Sequence, residues 1–133
     1  MLTANRRTFL GSAAVASLSG VAIAESDKMQ TPKLVHHVFF WLKRPGSTTD
    51  RDLLLEGLAT LTRIESVRGS HFGVPASTEK RDVVDNSFSV SEILFFDDTA
   101  GQKIYQDHPI HRQFVADCGH LWEKVIVYDT IGA

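Results

Sequence analysis

Apolar positions along the chain change period several times, and each change marks an element. Leu34 to Leu42 (LVHHVFFWL) is crowded with aromatic and β-branched residues and predicts a strand, ended by the turn at Arg44-Pro45-Gly46. From about Asp50 to Glu65 the spacing becomes helical. Leu54, Leu58, Leu61 and Glu65 share one face, with Leu53, Gly57 and Ile64 beside it. Thr49 is placed to cap this helix, with Asp50 and Asp52 near the positive end of its dipole. Val67 to Val74 predicts a second strand, with Gly69 and Gly73 pointing to a bend or bulge. Pro75 to Asn86 is polar and predicts an exposed loop.

Phe88 to Phe96 (FSVSEILFF) predicts a third strand. Phe88, Val90, Glu92 and Leu94 alternate with Ser89, Ser91, Ile93 and Phe95, and the late apolar positions imply burial on both sides. Asp97-Asp98-Thr99 opens a second helical region, broken at His108-Pro109, because a residue before proline is pushed out of the helical region. Phe114, Val115, Cys118, Leu121 and Trp122 resume the helical spacing, and Val125 to Tyr128 predicts a short last strand. The order β-α-β-β-α-β is the α+β, ferredoxin-like pattern: one antiparallel sheet with its helices on one face. The other face must also be covered, since a soluble monomer rarely exposes several hundred Å² of apolar surface. Two sheets packed face to face would cover it, which predicts a homodimer.

The N-terminus predicts an exported protein. Arg6-Arg7-Thr8-Phe9-Leu10 and an uncharged small-residue run end in Ala22-Ile23-Ala24, an A-x-A site before Glu25. The head resembles a twin-arginine export signal, with Asn5 where Ser or Thr is usual. This gives a signal peptide over residues 1–24, a polar leader over 25–33 and one domain over 34–131. Retention of the signal as an anchor is the alternative. Cleavage would leave 109 residues, with twelve basic against sixteen acidic side chains and a charge of about −4. No basic block remains, so neither nucleic acid nor, after cleavage, a membrane is expected as a partner. Cys118 is the single cysteine, so no internal disulfide forms; its helical neighbours predict a buried small hydrophobe.

Four strings then point one way: His37 to Gly46 (HVFFWLKRPG), Arg81 to Phe88 (RDVVDNSF), Tyr105 to His111 (YQDHPIH) and Trp122 to Asp129 (WEKVIVYD). In this order the chain from about Leu34 to Thr130 resembles the stress-responsive α/β-barrel (Dabb) family. The resemblance implies a dimeric α/β barrel, in which the sheets of two chains form one eight-stranded barrel. It is also similar to a branch of plant polyketide cyclases in which a Tyr and a His act by aldol chemistry. Tyr105 and His111 match those two residues, and His37 matches a first-strand histidine that faces the same pocket. The cyclase branch has a third-strand histidine where this chain has Val90.

Four accounts of these residues stand open. In the catalytic one, His111, near the positive end of a helix dipole, stays neutral and takes a proton from a carbon beside a carbonyl. The Tyr105 hydroxyl then donates to the developing enolate or alkoxide, with no cofactor. In the structural one, Tyr105 packs its ring, while His108 and His111 cap or brace the break at Pro109. Substrate-binding positions on the catalytic reading are His37, Phe39, Trp41, Phe88, Val90 and His108. A barrel that holds a small apolar molecule without catalysis is a third account, suggested by Phe39, Trp41, Phe88 and Phe95; a filled, ligand-free stress dimer is a fourth. Haem or quinone oxidation has only fold analogy behind it. His36 and His37 are consecutive on a strand and point to opposite faces, so they do not share a metal. No paired metal-ligand spacing, Ser-His-Asp order, phosphate loop or dinucleotide fingerprint is present, so no metal is expected.

Overall fold

A computed structural model describes residues 31–133. The elements are β1 (Leu34–Leu42), α1 (Thr48–Thr60), β2 (Gly69–Gly73), β3 (Val90–Phe96), α2 (Thr99–Asp107), α3 (Pro109–Cys118) and β4 (Trp122–Ile131), with single 3₁₀ turns at Leu61–Arg63 and Gly119–Leu121. The four strands form one antiparallel sheet in the order β2-β3-β1-β4, the ferredoxin-like arrangement expected. The export signal expected over residues 1–24 lies outside the described residues.

β1 occupies the bounds its composition predicts, and its burial alternates without a break. Leu34, His36, Val38, Phe40 and Leu42 are buried under the helices; Val35, His37, Phe39 and Trp41 are half-buried on the opposite, open face. The pleat causes this, since successive side chains leave a strand on opposite sides. α1 places Leu54 and Leu58 in the core, and Leu61 and Ile64 follow in the turn after it. Gly57 lies under α3: a side chain there would collide with the Cys118 sulfur and the Phe114 ring. Cys118 is a free, buried thiol whose pKa is raised by burial, as a small hydrophobe in this seam should be.

Three element ends differ from the pattern for local reasons. Ser47, not Thr49, caps α1, its hydroxyl accepting from the Asp50 amide at 3.1 Å. Asp50 is drawn into a two-pronged pair with Arg44, at 2.8 and 2.6 Å, which ties the β1–α1 turn to the helix. The third strand begins at Val90, because Ser89 is spent on the neighbouring strand. Its amide donates to the Phe40 carbonyl and its hydroxyl accepts from the Leu42 amide. Phe88 therefore leaves the face of Val90 and Glu92 and packs on Phe39 across the sheet. Trp122 keeps helical spacing but opens β4, stacking on Phe114 and meeting Phe40 at a tilt.

The core is the helix-side layer, with Leu94 and Val90 fully buried at its centre. Leu94→Ala is expected to cost about 3 kcal/mol, through lost burial and the cavity left behind. Urea denaturation measures this; a cost below about 1 kcal/mol would mean the layer collapses around the gap.

Candidate functional site

Several polar side chains meet inside the apolar helix-side layer. Tyr105 on α2 is 1 % exposed, and its hydroxyl donates to Glu92 Oε1 on β3 at 3.1 Å. The Tyr105 ring meets the edge of His36 on β1 at 5.5 Å between centroids and of His111 on α3 at 4.8 Å. His36, itself buried, is held by Asp129 of β4, the residue directly opposite it in the ladder, at 2.5 Å between Nδ1 and Oδ1. The Asp129 side chain is half exposed, so the cluster runs from Glu92 in the interior to solvent at the β4 edge.

Electrostatics distinguish the members. Glu92 is 1 % exposed, and burial pushes its carboxyl up to about 7, against a smaller downward pull from the Tyr105 hydroxyl. The Tyr105 hydroxyl is pushed well above the usual phenol range, first by burial and then by the Glu92 charge. Burial, then the neighbouring His36, lowers the His111 pKa, while a hydrogen bond to the Gln106 backbone works in the other direction. A depressed pKa is what the sequence leads one to expect of His111; the larger cause is desolvation rather than the helix dipole. A neutral imidazole with one nitrogen on a backbone carbonyl leaves the other to accept a proton.

The sheet divides the residues singled out from sequence into two groups. Tyr105 and His111 come together on the helix side, and Val90 is buried in that same layer. His37 does not join them. It projects from the open face, and His36, one residue earlier, reaches Tyr105 instead. The pleat makes a one-residue offset a change of face. Phe39, Trp41 and Phe88 lie with His37 on the open side. His37 packs on Phe39 at 4.2 Å, Phe39 meets Phe88 at 4.9 Å, and Trp41 Nε1 donates to Ser87 at 3.1 Å. With Asp85, Lys124, Ile126 and Tyr128 the last three line an open hollow of about 210 Å³. His108 serves as the cap of α3. Its Nδ1 accepts from the Ile110 amide at 3.1 Å, and its Nε2 lies 3.4 Å from Glu65.

Sequence reasoning passed over Glu92, His36 and Asp129. Glu92 carried a readable signal, as the one charged residue on the otherwise apolar face of a strand buried on both sides. Asp129 carried none, because its role depends on β4 pairing with β1 in a register that only the fold supplies. Among the described residues no group of three or more His, Cys, Asp or Glu is placed to hold a metal, and no described helix is long and apolar enough to cross a membrane.

Comparison with known proteins places the chain. A family model described as the stress responsive A/B barrel domain matches residues 34–131. No curated protein matches. Among solved structures, a Dabb family protein with a ferredoxin-like fold from Mesorhizobium loti is 24 % identical, at a TM-score of 0.61, over 77 % of this chain and 99 % of that one. A dimeric ferredoxin-like protein of unknown function from Thermobifida fusca is 17 % identical, at a TM-score of 0.61, over 78 % and 94 %. A hydroxynitrile lyase from Passiflora edulis is 21 % identical, at a TM-score of 0.63, over 77 % and 96 %.

The Glu92 carboxyl carries a stability prediction. The folded state holds a proton that the unfolded chain releases near pH 4.5. That contribution is complete below pH 4.5 and is lost as pH rises to about 7, a change on the order of 3 kcal/mol. Glu92→Gln removes the titration. Urea stability of the wild type should fall relative to E92Q across this window, and parallel curves would contradict the buried carboxyl.

Proposed function

The chain belongs to the stress responsive A/B barrel domain family, and we propose that this member is an exported homodimer performing cofactor-independent, lyase-type acid–base chemistry on a small carbonyl compound. The observation that carries the reading is the meeting of Tyr105, His111 and His36, with Glu92 behind the Tyr105 hydroxyl, in a layer made largely of Leu, Val, Ile and Phe. Buried polar groups are costly in such a layer, and clusters of them with displaced pKa values concentrate where chemistry is done. The lyase among the similar structures supports the reaction class by likeness of fold.

In the proposed reaction the neutral His111 imidazole accepts the proton from the carbon beside the carbonyl, or from the hydroxyl of an aldol-type adduct. Negative charge then collects on the substrate oxygen, and the Tyr105 hydroxyl donates a hydrogen bond to it. His36, held through Nδ1 by Asp129, flanks the same ring and limits where the substrate oxygen can sit. Burial of the Tyr105 side of the cluster keeps water from competing for these bonds.

Dimerisation is supported by the open sheet face and by β4. Tyr128 is 59 % exposed on the open face, while Val125 and Val127 remain 44 % and 46 % exposed on the helix side of the same strand. A second copy would cover these, and the Thermobifida fusca structure is described as dimeric. Export rests on Arg6-Arg7 and the Ala22-Ile23-Ala24 site. A second reading, capture of a small apolar molecule inside the dimer, is favoured by the hollow lined by Phe39, Trp41 and Phe88.

Two measurements test the proposal. Tyr105→Phe and His111→Ala should each lower turnover of aromatic aldehyde and β-keto substrates by about 100-fold or more with the fold intact; unchanged turnover in either would refute the catalytic reading. Phe39→Asp should convert the wild-type dimer to monomer in sedimentation at micromolar protein. Sedimentation of the wild type itself as a monomer would remove the homodimer.

A further inference from the structure

We infer that Glu92 is a positioning residue whose protonation state decides whether the Tyr105 hydroxyl is free to donate to a substrate. This deepens the acid–base reading of the same site and rests on it. The geometry is a closed pair. The Tyr105 hydroxyl and Glu92 Oε1 are 3.1 Å apart, and both side chains are 1 % exposed. A phenol has one hydrogen to give. Against an ionised carboxylate, which only accepts, that hydrogen is committed to Glu92. A neutral carboxylic acid has a hydrogen of its own. It donates to the Tyr105 oxygen and leaves the phenol hydrogen to turn toward the side on which His36 and His111 pack. An oxyanion forming there is then met by a donor already polarised from behind.

The surroundings single out Glu92 for this task. On its own strand it stands between Val90 and Leu94, its neighbours across the ladder are Val38 on β1 and Phe72 on β2, and α1 brings Leu54 and Leu58 to the same layer. No cation from the described residues pairs with it. The remaining titratable groups near the pair face Tyr105 rather than Glu92: His36 from β1, His111 from α3 and, behind His36, Asp129 from β4. A carboxyl kept neutral by its setting until about pH 7 is therefore free to act on one partner alone.

The test has one arm independent of any substrate. Infrared difference spectra of the full-length mature protein should contain a protonated-carboxyl band, absent from Glu92→Gln, that disappears as pH rises through about 7. The Tyr105 ring mode, identified by its loss in Tyr105→Phe, should shift in the same titration as the phenol changes from accepting to donating. A tyrosine mode that ignores the titration, or no such carboxyl band between pH 5 and 9, overturns the inference whatever the enzyme proves to do. The second arm is the pH profile of turnover. The wild type should lose rate above about pH 7 by roughly tenfold per unit, and E92Q, whose amide donates at every pH, should lose that basic limb and exceed the wild type at pH 9 by more than tenfold. If Tyr105→Phe keeps its turnover, the catalytic reading fails. If Tyr105→Phe loses turnover but E92Q keeps the basic limb, only the role of Glu92 fails.

Discussion

The central strand β1 pairs with β3 on one side and β4 on the other, and its pleat sends alternate side chains into two different environments. The helices bury one of those environments, and the chain alone leaves the other uncovered. Everything of chemical interest follows from this division. Leu34, Val38, Phe40 and Leu42 anchor the core, and His36 is the single polar side chain that β1 commits to it. Val35, His37, Phe39 and Trp41 form the opposite surface, where aromatic rings gather without a layer above them. A one-residue slip would exchange the two sets and destroy both surfaces, so the register of β1 is held by the whole fold.

A polar cluster in the helix-side layer costs stability. An apolar residue in place of Glu92 would avoid the burial of a carboxyl, and Phe in place of Tyr105 would need no hydrogen-bond partner. The chain instead supplies each polar group with one defined partner: Glu92 with the Tyr105 hydroxyl and His36 with Asp129. Groups so paired are fixed in direction, which acid–base chemistry requires of a base and a donor. The break at His108-Pro109 contributes as well. His108 caps α3, and the new helix axis sets His111 against the Tyr105 ring.

Much of this was readable in the sequence. The aromatic and β-branched run LVHHVFFWL located β1 to the residue, His108-Pro109 located the break between α2 and α3, and the succession of periods implied the ferredoxin-like order. Tyr105 and His111, brought forward by a resemblance, do meet. The differences have two sources. The resemblance assigns His37 to the pocket, whereas the pleat sets His36 against Tyr105; elsewhere, local pattern does not report on neighbours distant in sequence. Phe88 was given the face of Val90, because nothing in FSVSEILFF reveals that Ser89 is taken up by bonds to Phe40 and Leu42. Trp122 held to a helical period that the adjacent strand overrode. Asp129 had no local mark, since only the β1–β4 ladder makes it the partner of His36.

The most direct test of the central claim, that the chemistry lies on the helix side of the sheet, is a histidine-resolved NMR titration of the protein with small aromatic aldehydes. Saturable shifts at His36 and His111, with His37 unmoved, are the result this account predicts. Shifts confined to His37 would place the ligand on the open face and contradict it.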